Sequence, residues 1–123
     1  MRDAVIVSTA RTAMGRAFRG AFNMTPGASL GSFSIKAAVE RAGIEGAEVD
    51  DVLWGSALQQ GSQSGNIARQ ALLRAGLPVS VSGMTMDRQC SSGLMAIATA
   101  AKQVVMDRMD IVVAGGQESI SMV

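Results

Sequence analysis

Four short apolar runs alternate with three stretches of helical pattern along a chain of 123 residues. That order constrains the fold more than any other feature, because parallel strands must be joined through crossovers long enough to hold a helix. Asp3 to Thr9, "DAVIVST", is a compact β-branched run and reads as a buried strand. A Gly-rich loop follows from Ala10 to about Gly27, with Pro26 and Gly27 as breakers. From Ala28 to Ala42 the pattern is helical: Leu30, Phe33, Ala37 and Ala38 share one face, Lys36 and Glu40 form an i,i+4 pair, and Gly43 suits the stop. "VDDVLWGSAL" gives a second strand around Val52 to Ser56. After the polar stretch "QQGSQSGN", a helix is expected from about Asn66 to Ala75, ended by Gly76 and then Pro78.

Ser82 to Asp87 is the third expected strand and leads straight into "MDRQCSSGLMAIATAAKQVV", Met86 to Val105. The helix after Cys90 runs to about Met106 or Asp107. Its apolar residues Leu94, Met95, Ile97, Ala98, Ala101, Val104 and Val105 point nearly all round, as in a helix buried on most sides. "DIVVAGG" supplies a fourth strand. The order is βαβαβαβ, an α/β fold with a mostly parallel sheet. Such a sheet needs cover on both faces, and three helices, one of them too apolar to face water, leave that cover incomplete. Either extensive oligomerisation or membership in a larger body is expected.

Composition closes off several functions. Hydrophobic residues make up 48% of the chain but aromatic ones only 3%, so the core must be built from Ala, Val, Ile, Leu and nine Met. A net charge of +1 gives no field to attract polyanions, and one Trp with no Tyr gives no stacking platform, so no nucleic-acid partner is expected. The local basic cluster Arg11, Arg16 and Arg19 reads as a solvated loop face. With one cysteine and no histidine, an internal disulfide, a cysteine-based metal cage and an in-chain Cys/His pair are all excluded, and no metal site is expected. No charged-then-apolar leader opens the chain. The stretch Leu94 to Ala101 is far too short to span a bilayer, so a soluble, cytoplasmic protein away from membranes is expected.

Cys90 carries the open question. A lone cysteine is commonly a small buried hydrophobe. Yet strand, sharp turn, nucleophile, small residues and helix form a recurrent way to display a reactive group. At a helix N-terminus the unpaired N–H groups and aligned peptide dipoles favour a thiolate. Ser91 and Ser92 suit a first helical turn, and Gly93 allows another backbone or a ligand to come close. Backbone N–H groups at such a turn can also hold a developing oxyanion. Gly115-Gly116 lacks the spacing of a phosphate-binding loop and reads as a turn.

At "DRQCSSGLMAIATAAKQV" the sequence resembles the thiolases, which transfer acyl groups between coenzyme A thioesters. "DAVIVSTARTAMGRAFRGAF" is similar to the family's opening strand and Arg-Thr loop, "GNIARQALLRAGLP" to its second helix, and "IVVAGGQESISM" to its fourth strand and Gly-Gly-x-Glu-Ser segment. The resemblance implies a layered thiolase-like fold, of which residues 1–123 form the N-terminal part of the N-terminal domain, without the loop region and the C-terminal domain. It places Cys90 at the nucleophile that accepts the acyl group as a thioester. Acyl-CoA and CoA would be the substrates, with no prosthetic group bound. CoA-contacting residues are not assigned.

Family members are far longer, and the remaining C-terminal part carries the activating histidine, a second cysteine acting as acid and base, and an Asn near the oxyanion. The resemblance also implies a homodimer or homotetramer, with the strand before Cys90, including Met84 and Met86, near the subunit contact. "RQCSSGL" leans toward the degradative 3-oxoacyl-CoA thiolases of fatty-acid β-oxidation. Two other functions remain open: a 3-oxoacyl synthase-like condensing enzyme, and a non-catalytic scaffold or interaction subunit.

Overall fold

The structure is a computed structural model describing residues 1–123. Three parallel strands, β1 (Asp51–Gly55), β2 (Ser82–Met86) and β3 (Val112–Gly116), form one sheet in the order β2-β1-β3. The helices are α1 (Gly27–Ala42), α2 (Ile67–Arg74) and α3 (Ser92–Met106), with single 3-10 turns at Gly46–Glu48 and Gly61–Gln63. All five residues of β1 are buried, as befits a central strand covered on both faces. Successive side chains point to opposite faces. Val52 and Trp54 therefore join a core of eleven buried residues with α1 and α2, including Ile35, Val39, Ile67, Ala71 and Leu72. Leu53 points the other way, into a small cluster with Ala96 and Ala100 of α3.

The ends of these elements follow their sequence signals. Gly43 closes α1 in the left-handed conformation at φ 69°. The Asn66 side chain accepts from the Arg69 N–H at 3.2 Å and caps α2. At the far end of α2, Gly76 N–H donates to Leu73 O and Leu77 N–H to Leu72 O, a Schellman closure with Gly76 at φ 92°. Leu72 and Leu77 meet in the main core, so the stop signal also anchors the following chain.

Two expectations need correction. Asp3–Thr9 is not a strand. It is held by side chains: Arg2 bridges Asp110 at 2.9 Å, Ser8 Oγ donates to Ala38 O at 2.8 Å, and Arg41 donates to Thr9 O at 2.8 Å. An apolar cavity of about 880 Å³ is lined both by this segment and by Ile111–Gly116. The β-branched run pairs with no strand of the sheet, and Val7 stays 77% exposed.

The second correction concerns α1, whose buried face is Gly27, Gly31, Ile35 and Val39, spaced four apart, with Ser32 beside them. Phe33 is exposed. Close packing explains the choice: a Cβ at Gly31 would sit 3.0 Å from Ala71 Cβ, and the small residue lets α2 approach. Within this chain α3 is covered on one side only, as expected where three helices leave the cover of the sheet incomplete. Ala96 and Ala100 face the sheet, while Leu94 is 71% exposed and Met106 also faces outward. The i,i+4 pair Lys36–Glu40 forms at 4.0 Å on an exposed face. No helix is long and apolar enough to cross a membrane.

Leu72 is fully buried at the junction of α2, the sheet and the Schellman turn. Leu72→Ala in the full-length protein is expected to cost about 2–5 kcal/mol, read from urea unfolding midpoints. A change below about 1 kcal/mol would mean that the site collapses around the missing atoms.

Candidate active site

Register brings the carboxyl ends of the three strands to one level, with Gly55 opposite both Met86 and Gly116. In open parallel sheets this edge is where ligand-binding loops gather. Ser56 N–H donates to Met86 O at 3.0 Å and Gln117 N–H to Gly55 O at 3.0 Å, extending the pairing into the loops. The N-terminus of α3 rests directly on this edge. A Cβ at Gly55 would collide with the carbonyl carbon of Ser92 and lie 2.6 Å from Gly93 N, and a Cβ at Gly116 would lie 3.3 Å from Gly93 Cα. The close approach is therefore permitted by Gly55 and Gly116. Gly93, expected from sequence to let another backbone or a ligand come close, has no atom of this chain within 4 Å in the direction its Cβ would take.

Between β2 and α3 the chain reverses over Asp87 to Ser91. Gln89 adopts φ 50°, a left-handed conformation that costs a non-glycine residue on the order of 1 kcal/mol. Its N–H donates to Asp87 Oδ1 at 2.7 Å. Ser91 Oγ donates to Arg88 O at 2.8 Å. The buried Ser92 Oγ accepts from Arg88 N–H at 2.7 Å and donates to Gln89 O at 2.6 Å. Both serines were expected in the first helical turn. They do sit there, but their hydroxyls bond backwards into the reversal and leave the helix N-terminus without a side-chain cap. The amides of Cys90 and Gly93 donate to no group in the chain.

Cys90 sits on the outside of this reversal and is exposed. It belongs to neither hydrophobic cluster formed by residues 1–123. The helix that follows begins two residues later, after Ser91 at the N-cap position. The arrangement presents a thiol beside unpaired backbone N–H groups at the start of a fifteen-residue helix.

A second group of residues shapes the neighbouring loops. The Glu118 carboxylate accepts from Ser56 Oγ at 3.1 Å, Ala57 N–H at 3.0 Å, Leu58 N–H at 2.9 Å and Gln63 Nε2 at 3.1 Å. Gln63 is fully buried, and its Oε1 accepts from Gln117 Nε2 at 2.9 Å and Ser119 N–H at 3.0 Å. Gln117 in turn accepts from Trp54 Nε1 at 3.0 Å and donates to Gly27 O at 2.8 Å. This network ties the loop after β1, the loop after β3 and the start of α1 into one unit. "QQGSQSGN" reads in sequence as a polar stretch. Nothing in its composition marks Gln63 as buried, since a buried amide in a loop has no periodicity. The basic residues Arg11, Arg16 and Arg19 are exposed, as expected of a solvated loop face.

Comparison with known proteins identifies the family and the fold. A family model described as thiolase, N-terminal domain, matches residues 4–123. The acetyl-CoA acetyltransferase of Cupriavidus necator is 48% identical over 121 residues, covering 98% of this chain and 30% of that protein. That of Escherichia coli (strain K12) is 44% identical over 122 residues, covering 99% and 30%. The crystal structure of the Bacillus anthracis acetyl-CoA acetyltransferase matches with a TM-score of 0.92 at 40% identity, over 99% of this chain and 30% of that one. The chain thus spans about 30% of the length of the curated relatives it matches.

Because only backbone lies in the path of a side chain at Gly55, Gly55→Ala must displace α3. The expected cost in the full-length protein is about 1–3 kcal/mol, accompanied by a changed rate of iodoacetamide alkylation at Cys90. Unaltered stability together with an unaltered alkylation rate would contradict the seating of α3 on the strand ends.

Proposed function

This chain belongs to the thiolase family, and we propose that within the whole protein it supplies Cys90 as the acyl-accepting thiol of a transfer between coenzyme A thioesters. One observation carries the assignment: the thiol is exposed on a left-handed reversal at the carboxyl end of the parallel sheet, immediately before a long helix. Residues 1–123 are read as the N-terminal part of a thiolase N-terminal domain.

The reaction follows from the thiol's chemistry. Cys90 Sγ, having given up its proton to a base, adds to the thioester carbonyl carbon of an acyl-CoA. The carbonyl electron pair moves onto oxygen, and N–H groups of the turn are placed to stabilise that charge. As the carbonyl re-forms, the carbon–sulfur bond to CoA breaks and CoA leaves as a thiol after taking up a proton. The acyl group now rests on Cys90 as a thioester. In the second half, the methyl carbon of acetyl-CoA loses a proton and attacks this thioester, giving 3-oxoacyl-CoA and restoring the Cys90 thiol. Run backwards, CoA cleaves 3-oxoacyl-CoA. Splitting the exchange through a covalent intermediate lets one nucleophile replace another without releasing free acid.

The chain contains no histidine and no second cysteine. We therefore place the base for Cys90 and the acid for the departing group in the rest of the protein, and with them most contacts to CoA. The acetyl-CoA acetyltransferase names of the relatives support acetyl transfer over the longer-chain, degradative type toward which "RQCSSGL" leans. No prosthetic group is needed, because the substrate brings its own thioester. The outer edge of β2, with Met84 exposed on it, is assigned to contact with a second copy of the chain. A reducing, cytoplasmic setting suits a protein that depends on a free thiol.

Incubation of the full-length protein with acetyl-CoA, followed by peptide mass spectrometry, is expected to place one acetyl group on Cys90. Cys90→Ala is expected to abolish both the label and turnover, and residues 1–123 alone to show little turnover. Acetylation elsewhere, or full activity in Cys90→Ala, would overturn the assignment in favour of a scaffold role for this segment.

A further inference from the structure

We infer that Ser92 is a positioning residue for Cys90, its hydroxyl clamping the reversal that aims the thiol; this rests on the reading of Cys90 as the acyl acceptor. Ser92 is 4% exposed, and both hydrogen bonds of its Oγ go to the two residues just before the cysteine. It accepts from Arg88 N–H at 2.7 Å and donates to Gln89 O at 2.6 Å. Ser92 N–H adds a third bond to Gln89 O at 3.1 Å.

Gln89 O belongs to the peptide plane shared with Cys90. Planarity means that holding the carbonyl also fixes the direction of the Cys90 amide and the origin of its side chain. The held residue is Gln89, in the left-handed region at φ 50°, which a side-chain-bearing residue leaves unless its surroundings hold it there. From the other side the turn is held by Asp87 Oδ1, which accepts from Gln89 N–H, and by Ser91 Oγ, which donates to Arg88 O. These two groups belong to exposed residues, whereas the hydroxyl of Ser92 is enclosed beneath the reversal. Seating of α3 on Gly55 fixes the Ser92 backbone in turn. A path of contacts therefore runs from the strand end to the thiol. Losing the hydroxyl removes the two side-chain bonds from beneath the reversal, leaving Gln89 to the Ser92 N–H and the exposed Asp87 and Ser91 groups, and Cys90 shifts as Gln89 relaxes.

The test uses the full-length protein with Ser92→Ala, Gln89→Val, and Ser92→Ala combined with Gln89→Gly. Two rates are measured: acetylation of Cys90 by acetyl-CoA, and alkylation of Cys90 by iodoacetamide. Thermal midpoints accompany each. Ser92→Ala is expected to lower kcat and the acetylation rate by about ten- to a hundredfold, the scale of a misplaced reacting group, with KM for acetyl-CoA little changed. Gln89→Val leaves Ser92 intact but disfavours positive φ with a β-branched residue, and is expected to lower the same rates. Adding Gln89→Gly to Ser92→Ala is expected to recover part of the lost rate, since glycine occupies the left-handed region freely, without restoring the thermal midpoint.

A purely structural serine would show no such rescue. Acetylation and alkylation at wild-type rates in Ser92→Ala, or a double variant no faster than Ser92→Ala, would overturn the clamp while leaving Cys90 as nucleophile. If the wild-type protein takes no acetyl group on Cys90, the nucleophile reading fails. The alkylation rates then still decide whether Ser92 aims the thiol.

Discussion

A strand buried on both faces leaves neither side of its sheet to water, and β1 imposes that condition on everything around it. Val52 and Trp54 require apolar cover on one side and Leu53 requires it on the other. α1 and α2 meet the first demand together, with Gly31 allowing the two helices to close over the sheet. α3 meets the second alone, through the small residues Ala96 and Ala100. The unequal division explains why the core on the α1/α2 side has eleven residues and that on the α3 side three. It also explains why the outer face of α3 keeps Leu94, Ile97 and Met106 in contact with solvent.

The same packing creates the place where chemistry is proposed. Because α3 must lie tightly on β1, its N-terminus arrives at the carboxyl end of the sheet, against Gly55 and Gly116. The short link from Met86 to Ser92 then has to reverse sharply. Gln89 absorbs the reversal in a left-handed conformation, and Cys90 is left on the outside. Exposure of the thiol is thus a consequence of how closely helix and strand approach. At the same end of the sheet the Glu118–Gln63–Gln117 network holds the loops after β1 and β3 against the start of α1.

Much of this was legible in the residues because it is written in local chemistry. Gly43 and Gly76 end their helices where a positive φ is required, and Asn66 caps α2 through a side chain of the expected kind. The alternation of short apolar runs and helical stretches specified a parallel α/β sheet. The resemblance around "DRQCSSGL" pointed to Cys90. Features depending on distant partners were not legible. The β-branched run at Asp3–Thr9 has strong strand character and yet no ladder, since propensity does not by itself bring a segment to hydrogen-bonding distance from an edge. Phe33 reads as a core residue by pattern, whereas the buried stripe of α1 is set by where α2 needs small side chains.

The sequence alone determined the α/β class, the order of elements, their caps and the family, because each is encoded in residues near one another along the chain. Tertiary structure alone decided that Cys90 faces outward in this chain, and that Gln63 lies buried beneath a carboxylate loop. These features arise where α3, the strand ends and the loops converge across separations of up to about sixty residues. Which side chain is covered at such a meeting depends on the distance between elements, and that distance is set by packing.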